Sequence, residues 1–207
     1  MNVRTASRPA RRRSVVDVTP RAQSVLDAAV ALFSEFGYHG TSMREIAKLV
    51  GVGPGALYNH WPGKQDLLFY LMDAWLTELH NTLLARLKGV QEPTERLRLL
   101  VEHHVAFHAA HTAEMLICDS ELRALTDRNR RVVLDKRRRY EAVLDDVIGD
   151  GVEHGAFNAV DVRLTTMQTL GMCTHVATWF KPEGRLSIDA IASAYADRVL
   201  HSLEPHR

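Results

Sequence analysis

Apolar residues recur at intervals of three and four along most of this chain, and no alternating strand pattern or internal repeat stands out. The segment from Arg21 to Gly37 carries Val25, Ala29, Leu32, Phe33 and Phe36 as one helical stripe. A second long stripe, from about Lys64 to Lys88, holds Leu67, Leu68, Leu71, Trp75, Leu79 and Leu83. Pro93 opens a further helix, to about His111, and a shorter one follows around Ala113–Leu125. A long helix is predicted over about Asp127–His154, with Tyr140, Val143, Leu144, Val147 and Ile148 on one side and Gly155 as its stop. Two more, about Val160–Phe180 and Ser187–Leu203, are separated by KPEGRL. The pattern predicts an all-α chain of about nine helices. A basic, disordered arm over residues 1–20 precedes a three-helix unit over 21–66, and a larger helical domain follows over 67–207.

Between the first two stripes lies TSMREIAKLVGVGPGALYNHWPGKQDLL, from Thr41 to Leu68. Ser42 and Glu45 have the S-x-x-E spacing of a capping box, in which two side chains satisfy orphan N–H groups of a first helical turn. Met43, Ile46, Ala47 and Val50 then bury one face, and Gly51 suits a left-handed C-terminus. Gly53 caps a second helix with Pro54 at its first position, where a missing N–H is no loss. Over about Pro54–Trp61, Leu57 and Trp61 point inward, which leaves Ala56, Tyr58, Asn59 and His60 on other faces. Two short helices across a glycine turn, braced by the preceding stripe, are the layout of a helix-turn-helix that places one helix in a DNA major groove. Tyrosine, asparagine and histidine there suit phosphate and base-edge contacts. Lys64, in the first turn of the next helix, suits a phosphate.

FSEFGYHGTSMREIA followed by GVGPGALYNHWPGKQDLL resembles the DNA-binding domain of the TetR family of one-component repressors, without a gap over about Arg21–Leu71. The resemblance implies that Thr41 touches a phosphate beside Ser42, that Arg44 approaches the backbone or groove edge, and that Tyr58 contacts phosphate. It also implies that Pro54, Gly55, Ala56, Asn59 and His60 face the DNA and that Lys64 clamps a phosphate. Pro54 and Ala56 depart from the usual basic and hydroxyl residues, so readout leans on apolar contact of Ala56 with a thymine methyl, or on Asn59 and Arg44.

Charge changes the picture in one respect. The chain is close to neutral, at +1, but residues 1–64 hold nine Lys/Arg against four acids. The basic excess therefore sits with the motif, as a nucleic-acid contact requires. The five arginines before Pro20 read either as an arm that reaches phosphates or a minor groove, or as a solubilising tail. There is no bilayer-spanning apolar run and no signal-peptide pattern. Cys118 and Cys173 are isolated within apolar patterns, as buried thiols of a reducing cytosol are, so a cytoplasmic location is expected. No nucleophile elbow, phosphate loop or H-E-x-x-H pair points to an enzyme, and no cofactor is expected.

For the C-terminal part, the TetR resemblance implies a helix after the motif that transmits ligand state, a ligand pocket, and two last helices paired with their copies in a homodimer. Val162–Phe180 is apolar on much of its circumference, which requires burial on two sides, in a partner or in a monomer's core. Met172, Val176, Trp179, Phe180, Ile191, Tyr195 and Val199 are the candidate interface. Met72, Trp75, His104, Phe107, His108, Met115, Leu116, Tyr140, Leu144, Met167 and Leu170 either line a pocket or fill a plain core. MLICDSELRAL, RRRYEAVLDDVIGDGVEHGAF and TWFKPEGRLSIDAIASAYADRVL are similar to TetR-family regulators of lipid or sterol breakdown, which implies a small apolar effector such as an acyl-CoA thioester. Lys136–Arg139 then either meets CoA phosphates or forms a solvated face. His104, His108 and His111 share one helical face, so a metal-responsive regulator is an alternative. A DNA-bound structural factor without an effector is another. The leading expectation is a repressor released from a palindromic double-stranded operator by its ligand.

Overall fold

The computed structural model describes residues 20–159 and 161–205; apart from Pro20, the predicted basic arm lies outside them. Three helices form first: α1 (Pro20–Gly40), α2 (Met43–Val50) and α3 (Pro54–Tyr58). Both halves of the capping box are made. The Glu45 carboxylate accepts from the Ser42 N–H at 2.7 Å, and the Ser42 hydroxyl oxygen accepts from the Glu45 N–H at 3.3 Å. Gly51 ends α2 at φ 74°, ψ 35°, the left-handed conformation that a side chain disfavours.

The helix predicted over Pro54–Trp61 is shorter, a five-residue α3. Pro62 disfavours helical geometry at the residue before it. Trp61 instead turns back, its N–H bonded to the Leu57 carbonyl at 2.9 Å, so that the indole stays buried.

The remaining helices are α4 (Lys64–Leu87), α5 (Pro93–Ala110), α6 (Thr112–Ser120), α7 (Asp127–Glu153), α8 (Val162–Thr174), α9 (Val176–Trp179) and α10 (Ile188–Ser202), with a 3-10 turn over Leu122–Ala124 between α6 and α7. No strand occurs among the described residues. The predicted helix over 160–180 is divided at His175. There the winding tightens: the Thr178 N–H reaches the carbonyl three residues back at 3.0 Å, and its hydroxyl takes the same carbonyl at 2.8 Å.

Helices α4, α5 and α7 pack on one another as the centre of the larger domain, α8 covers α5 and α7, and α10 lies along α5. Their shared core includes Leu83, Leu97, Leu100, Val105, Leu144 and Ile148, all fully buried. The smaller unit closes its core with Ala29, Phe33, Ile46 and Leu57, and takes Leu67, Leu68 and Leu71 from α4. The predicted boundary at residues 66–67 therefore falls within one continuous helix. Helix α1 also packs on α6, a second contact between the two units.

One close approach fixes how the chain leaves α7. The N–H groups of Ala156 and Phe157 both bond to the Gly151 carbonyl, at 2.8 and 3.0 Å. The Phe157 ring then lies over Gly151, where a β-carbon would come within 2.0 Å of it. Gly151→Ala is expected to cost about 1–3 kcal/mol as overpacking, which lowers Tm by about 2–4 °C per kcal/mol at this length. An unchanged melting curve would show that the ring moves aside freely.

Candidate nucleic-acid interface and ligand cavity

Pro54, Gly55 and Tyr58 are exposed on α3, as are Asn59 and His60 in the turn that follows it. Ala56 is half-buried. Arg44 is exposed on α2, and so is Lys48 one turn later; neither has an ion-pair partner among the described residues. Lys48 was not singled out from the sequence, although its i,i+4 spacing from Arg44 was there to be read. Together these side chains present two cations, a phenol, an amide and an imidazole on one unit. That is the mixture of phosphate-directed and base-edge-directed groups that DNA recognition uses.

Three of the expected DNA-binding residues make hydrogen bonds within the protein. Thr41 is buried, its Oγ1 lying 3.1 and 3.0 Å from the carbonyls of Leu32 and Gly37. Ser42 gives its hydroxyl proton to Glu45 at 2.8 Å, and that bond holds the Glu45 carboxyl below its ordinary pKa. The Lys64 ammonium donates to the carbonyls of Tyr38 and Thr41, at 2.7 Å each, and sits 4.3 Å from the centre of the Tyr38 ring. The reason lies at Gly37, whose φ of 74° and ψ of 162° break the end of α1 and turn Tyr38 inward. The break exposes carbonyls that need donors, and Lys64 supplies them. Lys64 is a brace between α1 and α4.

The larger domain encloses a cavity of about 370 Å³ between α4, α5, α6, α7 and α8. Of the residues expected there, Trp75, His104, His108, Met115, Leu116, Tyr140, Met167 and Leu170 line it. Met72 and Leu144 do not; both are fully buried in the solid core. Phe107 also turns away, packing against His103 and His111 with ring centres 5.7 and 4.4 Å apart. Leu76, Leu79, Thr174 and Thr178 line the cavity and were missed, and Arg137 of the basic run lines it too. Leu76 and Leu79 were legible as neighbours of Trp75 at helical spacing.

The histidines form stacked walls. The rings of His104 and His108 lie 3.9 Å apart, and Trp75 meets His108 edge-on at 5.3 Å. His104 is held at both nitrogens, 3.0 Å from the Tyr140 hydroxyl and 2.9 Å from Thr174 Oγ1. His103 turns toward α4, 2.8 Å from Thr82 Oγ1. Among the described residues no group of three or more metal-ligating side chains converges. The basic run on α7 is largely structural as well. Lys136 pairs with Asp73 on α4 at 2.5 Å, Arg137 donates to the Cys118 carbonyl at 2.7 Å, and Arg138 pairs with Asp135.

Burial pushes all three histidines down in pKa, His103 and His108 to about 4. It pushes the Cys118 and Cys173 thiols up to about 12, which leaves them protonated and inert.

The candidate interface residues separate into two groups. Val176, Ile191 and Val199 are buried in the chain's own core, with α10 laid against α5, and are not available to a partner. Met172 and Trp179 are 43% and 45% exposed, and Phe180 and Tyr195 are half-buried. Leu164, at 55% exposure, belongs to the same outward face of α8 and was missed. No helix among the described residues is long and apolar enough to cross a membrane.

The model of the N-terminal domain of bacterial regulatory proteins of the tetR family matches residues 25–71, and that of the tetracyclin repressor-like C-terminal domain matches residues 90–203. The chain belongs to the TetR family. TetR-family proteins are DNA-binding transcription regulators and not enzymes. The fatty acid metabolism regulator protein of Bacillus subtilis is 24% identical over 186 residues, covering 89% of this chain and 96% of its own. The HTH-type transcriptional repressor KstR2 of Rhodococcus jostii is 27% identical over 192 residues, covering 90% and 93%. The crystal structure of AibR in complex with isovaleryl coenzyme A and operator DNA aligns with a TM-score of 0.78 at 29% identity, covering 90% of this chain and all of that one.

Two outcomes are expected of this TetR-family chain. Lys64→Met leaves the Tyr38 and Thr41 carbonyls without their donor and should destabilise the fold by about 1–3 kcal/mol. Loss of DNA affinity without loss of stability would instead make Lys64 a phosphate contact. The second concerns pH. A histidine near 4 in the fold and 6.5 when unfolded binds its proton preferentially in the unfolded chain between those values. Stability is therefore full above about 6.5 and falls as pH drops toward 4, by about 3 kcal/mol for each such group. Urea unfolding of wild type and His108→Phe at pH 7 and pH 4.5 should show a smaller acid loss in the variant. An identical loss would mean that His108 titrates as in water.

Proposed function

We propose that the chain is a transcriptional repressor that binds a palindromic operator as a homodimer and is released by a small apolar or acyl-CoA-like ligand. The cavity carries the reading. At about 370 Å³ it falls within the ~300–1,000 Å³ of ordinary ligand sites. Its walls include Trp75 and Leu76 of α4 and Met115 and Leu116 of α6, and these are the two helices that hold the DNA-binding unit. A ligand that favours one spacing of α4 and α6 over another changes where that unit sits, and works only through that difference in affinity. The volume suits an acyl or small cyclic group, with a nucleotide end outside. AibR, bound to isovaleryl coenzyme A and operator DNA, supports the ligand class. The fatty-acid and KstR2 relatives accord with an apolar effector.

The homodimer is supported by the outward apolar face of Leu164, Met172 and Trp179. It also suits the five-residue α3, which reads few bases alone; a twofold protein reads two half-sites one helical turn apart. The uneven charge fits a protein that acts where DNA is, in the cytoplasm.

The test is to incubate the protein with sheared genomic DNA at fixed, near-physiological salt and sequence what it retains. An inverted repeat should be enriched, and an acyl-CoA series should release it where free CoA does not. Arg44→Ala and Lys48→Ala should weaken retention evenly across sequences, while Asn59→Ala should change which bases are preferred. Diffuse retention without a repeat overturns the operator reading. A repeat that every acyl-CoA leaves bound overturns the ligand class and favours a structural DNA-binding factor.

A further inference from the structure

The cavity wall is largely apolar but also carries Asp119, Arg137, Glu141, His175 and Thr178; beside the stacked histidines the protons can be assigned. His108 Nδ1 lies 2.9 Å from the His104 carbonyl. A carbonyl only accepts, so the ring proton is on Nδ1 and Nε2 is a lone-pair acceptor. His108 is 4% exposed, yet Nε2 is not among the sealed polar atoms, and nothing among the described residues donates to it. The residue lines the cavity, so Nε2 is the ring atom left to accept from a ligand there.

His104 fixes a second group. If its proton were on Nδ1, the Tyr140 hydroxyl would have to accept, and the phenolic proton would have no acceptor among the described residues inside a buried side chain. Such an orphan is costly. Tyr140 therefore donates to Nδ1, the Nε2–H donates to Thr174 Oγ1, and the Thr174 hydroxyl proton is left for the cavity. One acceptor and one donor stand beside the same stacked pair.

We propose that the cavity selects a ligand whose apolar body carries a hydroxyl group, donating to His108 Nε2 and accepting from Thr174 Oγ1. This rests on the proposed acyl-thioester reading of the cavity and narrows it to hydroxylated acyl groups. A plain hydrocarbon chain leaves both wall groups unpaired, and a ketone, which only accepts, leaves His108 unpaired. Burial keeps the His108 ring neutral near pH 7, so Nε2 stays an acceptor there.

The experiment is a calorimetric titration of the full chain with octanoyl-CoA, 3-hydroxyoctanoyl-CoA and 8-hydroxyoctanoyl-CoA. At least one hydroxylated form should bind roughly five- to tenfold tighter than octanoyl-CoA, the worth of one net hydrogen bond between neutral groups. That ratio should collapse toward one in His108→Phe and shrink in Thr174→Val, each first shown to be folded by circular dichroism. Equal binding of all three overturns the hydroxyl inference and leaves the acyl-thioester reading standing. A preference that survives both substitutions overturns the assignment to these residues. Binding of none of the three overturns the acyl-thioester reading, and this inference with it.

Discussion

The 24-residue helix α4 buries one apolar face from Leu67 to Leu87, so that face has to be covered by protein along nearly all of its ~36 Å length. That requirement joins the two parts of the chain. Leu67, Leu68 and Leu71 complete the core of the helix-turn-helix, Trp75, Leu76 and Leu79 face the cavity, and Leu83 and Leu87 are sealed further along. No linker separates the cavity from the helix-turn-helix. A rigid rod belongs to both, and its first residue braces α1 through the Lys64 ammonium. Displacement of α4 at the cavity is therefore carried into the helix-turn-helix without an intervening hinge.

Helix α6 is the second tie. It brings Met115, Leu116 and Cys118 to the cavity and packs on α1, while Gln65 at the start of α4 donates to the Ala124 carbonyl in the turn after α6, at 3.1 Å. Two attachments at separate points define an orientation where one would leave a swivel. The same economy explains the basic run on α7. Lys136 and Arg137 look like an anion site in sequence but bind α7 to α4 and α6.

Where structure is set by near neighbours, it could be read directly. The capping box at Ser42 and Glu45, the glycine at 51 and the proline at 54 each act within four residues, and each appears as expected. The bracing bonds of Lys64 could not be read in the sequence because its partners are carbonyls 23 and 26 residues away, exposed by the backbone break at Gly37. Hydropathy reported that Val176, Ile191 and Val199 are buried but not in what. Their own α5 fills the place that a second copy was expected to take. Phe107 failed for a rotational reason: one residue from His108, it points about 100° around the helix and out of the cavity. The break at His175 contains neither glycine nor proline and left no trace in the apolar pattern.

Trp75 stands at the crossing of these features. It lines the ligand cavity on one side and, on the other, a small void of about 40 Å³ shared by α1, α4 and α6. Its indole N–H is buried and has no hydrogen-bond partner among the described residues. Of the chain's three tryptophans, Trp61 belongs to the helix-turn-helix core and Trp179 faces solvent. An indole sealed from water emits further to the blue than one in contact with it, and the Trp75 ring stands at the cavity wall, 5.3 Å from the His108 ring. The chain thus carries a built-in optical probe at the wall between the cavity and the DNA-binding unit. Its colour registers events on either side of that wall without a label attached to the protein.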